Sequence, residues 1–288
     1  MEFRKAERKK AKLRLAITGT AGSGKTYGAL LVAKGLGGKT ALIDTENGSG
    51  DLYASQFDYD VGSIEAPYEI QKYIQAIHDA EKAGYEIIII DSLSHAWAGN
   101  GGLLDLHDQL TQASYSKNSY TSWNKVSKCH YKLIEAMLNS PCHIIATMRS
   151  KTEYIQTENE KGKKEIIKVG LAPVQREGMD YEFTTVFDLG QNHMATVSKD
   201  RTRLFDGKVF QLSEKTGEAL KTWLDTGIDA VNFTARKNQI YRQYVDKYGD
   251  KAVEIAKNVV SGKSSKDWTE TDLEALVSYI ETGEKLSA

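Results

Sequence analysis

The segment Gly19-Thr-Ala-Gly-Ser-Gly-Lys25-Thr26 leaves little freedom to the fold around it, because an apolar run from Leu13 to Thr18 precedes it and a helical pattern begins near Tyr27. That is the strand, loop and helix context which the pattern G-x-x-x-x-G-K-[ST] requires. The glycines let the loop fold back with its backbone N–H groups turned inward, and the helix start behind it adds roughly +0.5 of an elementary charge. The product is a cradle for polyphosphate. Lys25 can reach the outer phosphates as a mobile point charge, and the Thr26 hydroxyl suits a magnesium ion bridging them. Gly19, Thr20, Ala21, Gly22, Ser23, Gly24, Lys25 and Thr26 thus form the candidate nucleotide-binding set, against the plainer reading of a Gly-rich strand-to-helix turn.

The strands downstream supply partners for that loop. After a helix over Tyr27 to Leu36, closed by Gly37-Gly38, the short apolar run Thr40 to Asp44 leads into Asp44-Thr45-Glu46-Asn47-Gly48. Glu46 therefore emerges at the carboxyl end of a strand, where open α/β sheets keep their ligand crevice. It is either a general base for water or a loop carboxylate bonded to local backbone. Residues 67 to 84 predict a surface helix with Pro67 in its first turn and Gly84 at its end. Ile87-Ile-Ile-Ile90 followed by Asp91-Ser92 reads as a strand buried on both faces of a parallel sheet. Asp91 would hold the magnesium in the Walker B manner, or cap the next helix. Cys142 to Thr147 is a further buried strand, which lands Thr147 beside the phosphates, able to sense the γ-phosphate by hydrogen bonding.

The rest of the chain is less explicit. Residues 2 to 14 carry an excess of five positive charges, from Arg4 to Arg14. They read as a solvated terminus or as an arm touching phosphates or a neighbouring subunit. Between Ser94 and Trp123, His95, Trp97, Tyr115, Tyr120 and Trp123 are either core residues of helices flanking the sheet or platforms for stacking single-stranded bases. A helix over about 122 to 139 should stop before Pro141. The segment Arg149 to Lys168, with Lys151, Lys161, Lys163 and Lys164 and a turn at Asn159 to Gly162, is a hairpin or a mobile basic loop contacting nucleic-acid backbone. Thr184 to Leu189 and His193 to Ser198 predict a hairpin near the sheet edge. Its exit places Lys199 and Arg201 two residues apart, on one side of an extended strand. Arg201 could reach a neighbour's nucleotide as an arginine finger, or decorate the surface.

From about Thr226 the pattern changes to capped helices over 234–248, 250–261 and 269–282, with a capping-box spacing at Thr269-Glu-Thr-Asp272. The expected organisation is a basic arm over 1–12, an α/β nucleotide-binding core over 13–227 with a mainly parallel sheet flanked by helices, and a small helical domain over 228–288. That last module is near neutral and suits protein contact or weak nucleic-acid contact. With 40% apolar and 27% charged residues, and no apolar run near the roughly 20 residues that span a bilayer, the chain reads as soluble and cytoplasmic. Cys129 and Cys142 match no zinc spacing, and the net charge of −1 excludes a wholly basic coat while leaving local basic patches open.

Taken together, Ile43-Asp44-Thr45-Glu46, Ile90-Asp91-Ser92 and Ala146-Thr147-Met148-Arg149 resemble the ATPase core of the RecA superfamily over about residues 13 to 225. In particular the chain resembles the short, core-only phage recombinases of the Sak group, often described simply as phage AAA-type ATPases. The resemblance implies ATP and Mg2+ as ligands, single-stranded DNA as partner, and a role in phage recombination or single-strand annealing. It places Glu46 in the water-activating position, Asp91 in the Walker B position and Thr147 where RecA has Gln. The segment after Thr147 matches the second DNA-binding loop of the superfamily. Lys199 and Arg201 resemble the lysine-x-arginine pair with which DnaB-type helicases and KaiC reach a neighbour's nucleotide, which implies a homo-oligomer with sites between subunits. The alternative is a nucleotide-switched assembly or loading factor for a replication or recombination complex, acting through the helical module. A small-molecule P-loop kinase is a weaker third.

Overall fold

A computed structural model of the protein describes residues 6, 8–115, 119–158, 164–227 and 230–283. The expected turn at Asn159 to Gly162, with Lys161 and Lys163, lies outside the described residues, as do Arg4 and Lys5. Two units separate, Lys12–Trp223 and Met1–Ala11 with Leu224–Ala288. The larger one runs β1 (Arg14–Gly19), α1 (Lys25–Leu36), β2 (Thr40–Asp44), β3 (Asp60–Ser63), α2 (Ile70–Lys82), β4 (Ile87–Asp91), α3 (Ser94–Ala98), α4 (Leu103–Ala113), α5 (Ser119–Asn139), β5 (His143–Glu158), β6 (Lys164–Pro173), β7 (Thr185–Leu189), β8 (Met194–Asp200), β9 (Phe210–Gln211) and α6 (Glu214–Asp225). Strand order is β3-β2-β4-β5-β1-β7-β8-β9, with β6 paired to β5 off that path.

From β3 across to β7 the strands are parallel, while β8 and β9 continue antiparallel. This is a mainly parallel sheet flanked by helices, as expected. All four isoleucines of β4 are 0% exposed, as befits a strand covered on both faces. Burying each contributes on the order of 2 kcal/mol. Tyr73 and Ile77 of α2 and Val126, Leu133 and Met137 of α5 pack with Ile88, Ile90, Ile144 and Ala146 in one core. Helix α1 lies against β1, β4 and β5, so the helix that follows the Gly-rich loop is anchored to the centre of the sheet. It is crossed tightly by α6. A Cβ on Gly35 would stand 1.9 Å from the Glu214 carbonyl oxygen, and one on Gly217 would stand 2.1 Å from that of Val32. Only glycine allows that approach.

Several expectations are corrected. Arg14 belongs to no solvated arm: it is buried in β1, and its guanidinium donates to the carbonyls of Leu13, Cys142, Leu138 and Ser140. Pro67 stands before α2 rather than in its first turn. Strand β5 does not end at Thr147 but runs on to Glu158 and pairs antiparallel with β6. The segment after Arg149 is thus a long β-hairpin, rising from the carboxyl edge of the sheet. Trp97 and Trp123 stack on each other at 6.0 Å, and Trp123 on His107 at 4.2 Å, so these rings are packing residues. Tyr115 and Tyr120 are exposed.

In the smaller unit α7 (Ala230–Tyr248), α8 (Ala252–Val259) and α9 (Glu270–Thr282) enclose a core of Tyr244, Ala256, Trp268, Leu273 and Leu276. The capping box at Thr269 and Asp272 is formed.

Candidate functional site

Parallel strands bring their carboxyl ends to one edge, and the Gly-rich loop opens there between β1 and α1. Gly22 and Gly24 adopt φ of 77° and 87°, the left-handed region that side chains disfavour, which turns the loop back on itself. Helix α1 starts at Lys25, so its first N–H groups face the loop without intrahelical partners. Lys25 Nζ donates to Thr20 O at 2.9 Å, folding the ammonium over its own loop. Burial lowers the pKa of Lys25, against the pull of Asp91 and Glu46.

Asp91, at the end of β4, is 2% exposed. Its Oδ2 accepts from Thr26 Oγ1 at 2.5 Å and its Oδ1 from Thr147 Oγ1. Burial pushes the carboxyl up, and the two hydroxyls hold it back. The following peptide bond, Asp91-Ser92, is cis. Thr26 and Asp91 bring together hard oxygen donors of the kind by which Mg2+ is usually held. No group of three or more His, Cys, Asp or Glu poised for a metal occurs among the described residues.

The turn after β2 is built by Asp44, whose Oδ1 accepts from Glu46 N at 2.7 Å and Oδ2 from Gly48 N at 2.6 Å. Thr45 ties it to β4 by accepting from Ser92 N at 2.8 Å, and its hydroxyl lies 2.8 Å from His95 Nδ1. Asp44 takes the local backbone bonds, which leaves the Glu46 side chain free to turn elsewhere. It pairs with Arg149, whose Nε donates to Glu46 Oε1 at 2.9 Å. Burial raises Glu46, but the Arg149 bond and the charges of Arg149, His95 and Lys25 hold it below the ordinary carboxylate value. Burial and Arg149 lower His95 in turn.

Thr147 is 0% exposed and its hydroxyl donates to Asp91, so it orients that carboxylate. Lys25, Thr26, Glu46, Asp91 and Thr147 gather at one edge, whereas Lys199 and Arg201 do not join them. Asp200 pairs with Thr185 at the start of β7, while Leu189 at its end pairs with Gly19. The cations therefore sit at the amino edge, about 15 Å along the strand direction from the loop. There Lys199 Nζ donates to Tyr181 O at 2.6 Å and Arg201 Nη2 to the same oxygen at 3.2 Å.

Sequence reasoning overlooked two site residues. Arg149 was one cation in a basic run, although standing two residues after Thr147 it had to share the carboxyl edge. His193, in the turn between β7 and β8, places Nδ1 3.1 Å from Ser23 O. With Tyr27, Tyr53, Gly24 and Gln211 it borders a cleft of about 460 Å³ beside the loop. No helix among the described residues is long and apolar enough to cross a membrane.

The family model AAA_24, described as an AAA domain, matches residues 11–209. No curated protein matches the sequence. Among solved structures, a prototypical ATPase from the type III secretion system of pathogenic bacteria is 11% identical, covering 94% of this chain and 81% of that one. The TM-score is 0.38.

Proposed function

As this chain belongs to AAA_24, a family of AAA domains, and so to the P-loop ATPases, we propose that it is a Mg-dependent ATPase that binds single-stranded DNA and serves phage recombination or single-strand annealing. The observation that carries the reading is spatial. Lys25, Thr26, Glu46 and Asp91 share the sheet edge from which the β5–β6 hairpin rises, so the residues this reading gives to the triphosphate have a projecting element beside them. Exposed Lys151 at the hairpin base and exposed Tyr115 and Tyr120 favour a polyanion with stacking bases.

In this reading water attacks the γ-phosphorus in line, the bond to the bridging oxygen breaks, and ADP and phosphate leave. Glu46 orients the water and takes its proton; Lys25 grips the outer phosphates. Thr26 and Asp91 would hold Mg2+, whose charge offsets that developing on the phosphate oxygens. Arg201 of a second copy would complete the site, since within one copy it lies on the far edge.

ATP turnover with and without single-stranded DNA, over a range of salt, tests this. DNA-stimulated turnover that weakens steeply with salt is expected. Lys25→Ala should abolish turnover, and Glu46→Gln should retain ATP binding while slowing hydrolysis about a hundredfold or more. Normal turnover in Glu46→Gln rejects the assigned base.

A second reading, a nucleotide-switched assembly factor, has its own support: Tyr241, Val245 and Val253 leave apolar surface exposed on the helical unit. A partner captured through residues 228–288 without DNA, and turnover indifferent to DNA, would favour it.

A further inference from the structure

Arg149 occupies Oε1 of Glu46 and its charge makes that carboxylate a weaker base, so opening the ion pair would free an oxygen and strengthen Glu46 for the proton transfer assigned above. What could open it is set by where Arg149 stands. In β5 it pairs with Gly19, the first residue of the phosphate loop. Glu46 follows β2, and β4 lies between β2 and β5. The guanidinium therefore spans roughly two strand spacings, about 10 Å, across the carboxyl end of β4. That end is Asp91. The arm therefore comes near Asp91, the carboxylate to which the reading above gives the Mg2+ of the triphosphate.

Its backbone is held at both polar atoms, while its side chain, bonded to Glu46, stays half exposed. Arg149 N donates to Ser94 Oγ at 2.9 Å, and Arg149 O accepts from Val174 N at 2.6 Å. The side chain keeps 47% of its surface exposed, against 26% for Glu46. Lys25, Arg149, Glu46 and Asp91 form one interacting set of two cations and two anions. A γ-phosphate arriving there adds negative charge, and Arg149 is the cation with a fork of donors and space to turn.

We propose that Arg149 reads the γ-phosphate in cis by exchanging the Glu46 carboxylate for phosphate oxygens, and in doing so releases Glu46 to orient water. The inference rests on the ATPase reading above and adds a phosphate ligand to it. It also gives the hairpin a mechanical link to the nucleotide. Arg149 is where β5 leaves the parallel sheet, and Gln175 just beyond β6 donates to Leu93 O at 3.1 Å, beside Asp91-Ser92.

The test is equilibrium binding of ADP and of a non-hydrolysable ATP analogue to the full chain, in wild type, Arg149→Ala, Arg149→Lys, Glu46→Gln and the Arg149→Ala/Glu46→Gln double variant. Loss of Arg149 should weaken the triphosphate about tenfold or more and leave ADP within about twofold. Lysine should restore part of the loss, having the charge without the fork. Glu46→Gln, which frees the guanidinium, should bind the triphosphate more tightly than wild type, and this gain should vanish in the double variant. A residue that merely supported the loop would move both nucleotides together and show no such coupling. Equal weakening of ADP and analogue by Arg149→Ala, or no change in either, overturns the proposal alone. A wild type that binds neither nucleotide removes the ATPase reading with it. Melting curves of the variants show whether each is folded.

Discussion

Thr147 donates its hydroxyl hydrogen to Oδ1 of Asp91 across the β4–β5 boundary, while Thr26 takes Oδ2. Both oxygens of a buried carboxylate are thereby engaged by hydroxyls on two different elements. Thr147→Val keeps the shape and deletes the donor, which leaves Oδ1 unpaired in a site that is 2% exposed. The expected cost is about 1–3 kcal/mol of stability, read from urea unfolding midpoints, with turnover reduced. Thr147→Ser should restore both. If the valine variant matches wild type in each measurement, the hydroxyl bond contributes nothing to the site.

Arg14 donates to four carbonyl oxygens, of which those of Leu138, Ser140 and Cys142 tie the start of β1 to the end of α5 and the connection to β5, and burial pulls its pKa down to about 10. Arg14→Met preserves bulk but strands those oxygens. A loss of about 3 kcal/mol or more is expected, measured by denaturant unfolding of the full chain. Neutrality would mean that water serves the carbonyls equally well.

Why this residue escaped the sequence reading is instructive. The charges from Arg4 to Lys12 run straight into it, and in a strand buried on both faces there is no alternation to single out one position. The same feature makes β2 and β4 easy: three and four consecutive apolar residues closed by Asp44 and Asp91 read as buried strands, and the structure has strands there. Strand β5 was legible only as far as Thr147, because beyond the sheet its residues are no longer required to be apolar. Helix α6 went unread since Gly217 weakens its pattern, though that glycine is there for the contact with Gly35. The ion pair of Glu46 and Arg149 joins residues 103 positions apart, and no local periodicity encodes it.

Arg201 and Lys199 share an acceptor in their own chain, Tyr181 O, on the edge opposite the loop. An arginine so placed can reach a triphosphate only in another copy, which is the role proposed for it. Arg201→Ala should therefore cost about 10³-fold in turnover, and so should Lys25→Ala, yet mixing the two should restore activity. Where the loop of an Arg201→Ala copy faces the arginine of a Lys25→Ala copy, both site halves are intact; in the opposite order both are substituted. Random equal mixing yields about one quarter of wild-type sites. Turnover of the mixture, measured after subunit exchange, checks this; a mixture as inactive as its parents would refute action in trans.

In the helical unit Asp272 receives Thr269 N at 2.7 Å and Lys263 Nζ at 2.8 Å and 2.9 Å, as the return half of the capping box of α9. Burial raises its carboxyl, but the Lys263 and Thr269 donors outweigh that and hold it below the ordinary value. A carboxyl whose folded pKa lies under its unfolded pKa, about 3.9, stabilises fully above the unfolded value and loses that contribution as pH falls through the folded one. Asp272→Asn should thus be less stable than wild type by about 1 kcal/mol at pH 7. The gap should close as pH drops below 4, because protonation then removes in wild type what the substitution has already removed. Urea midpoints of the two proteins from pH 7 to pH 3 decide the matter: curves that stay parallel throughout would show that the charge of Asp272 is not what holds the start of α9.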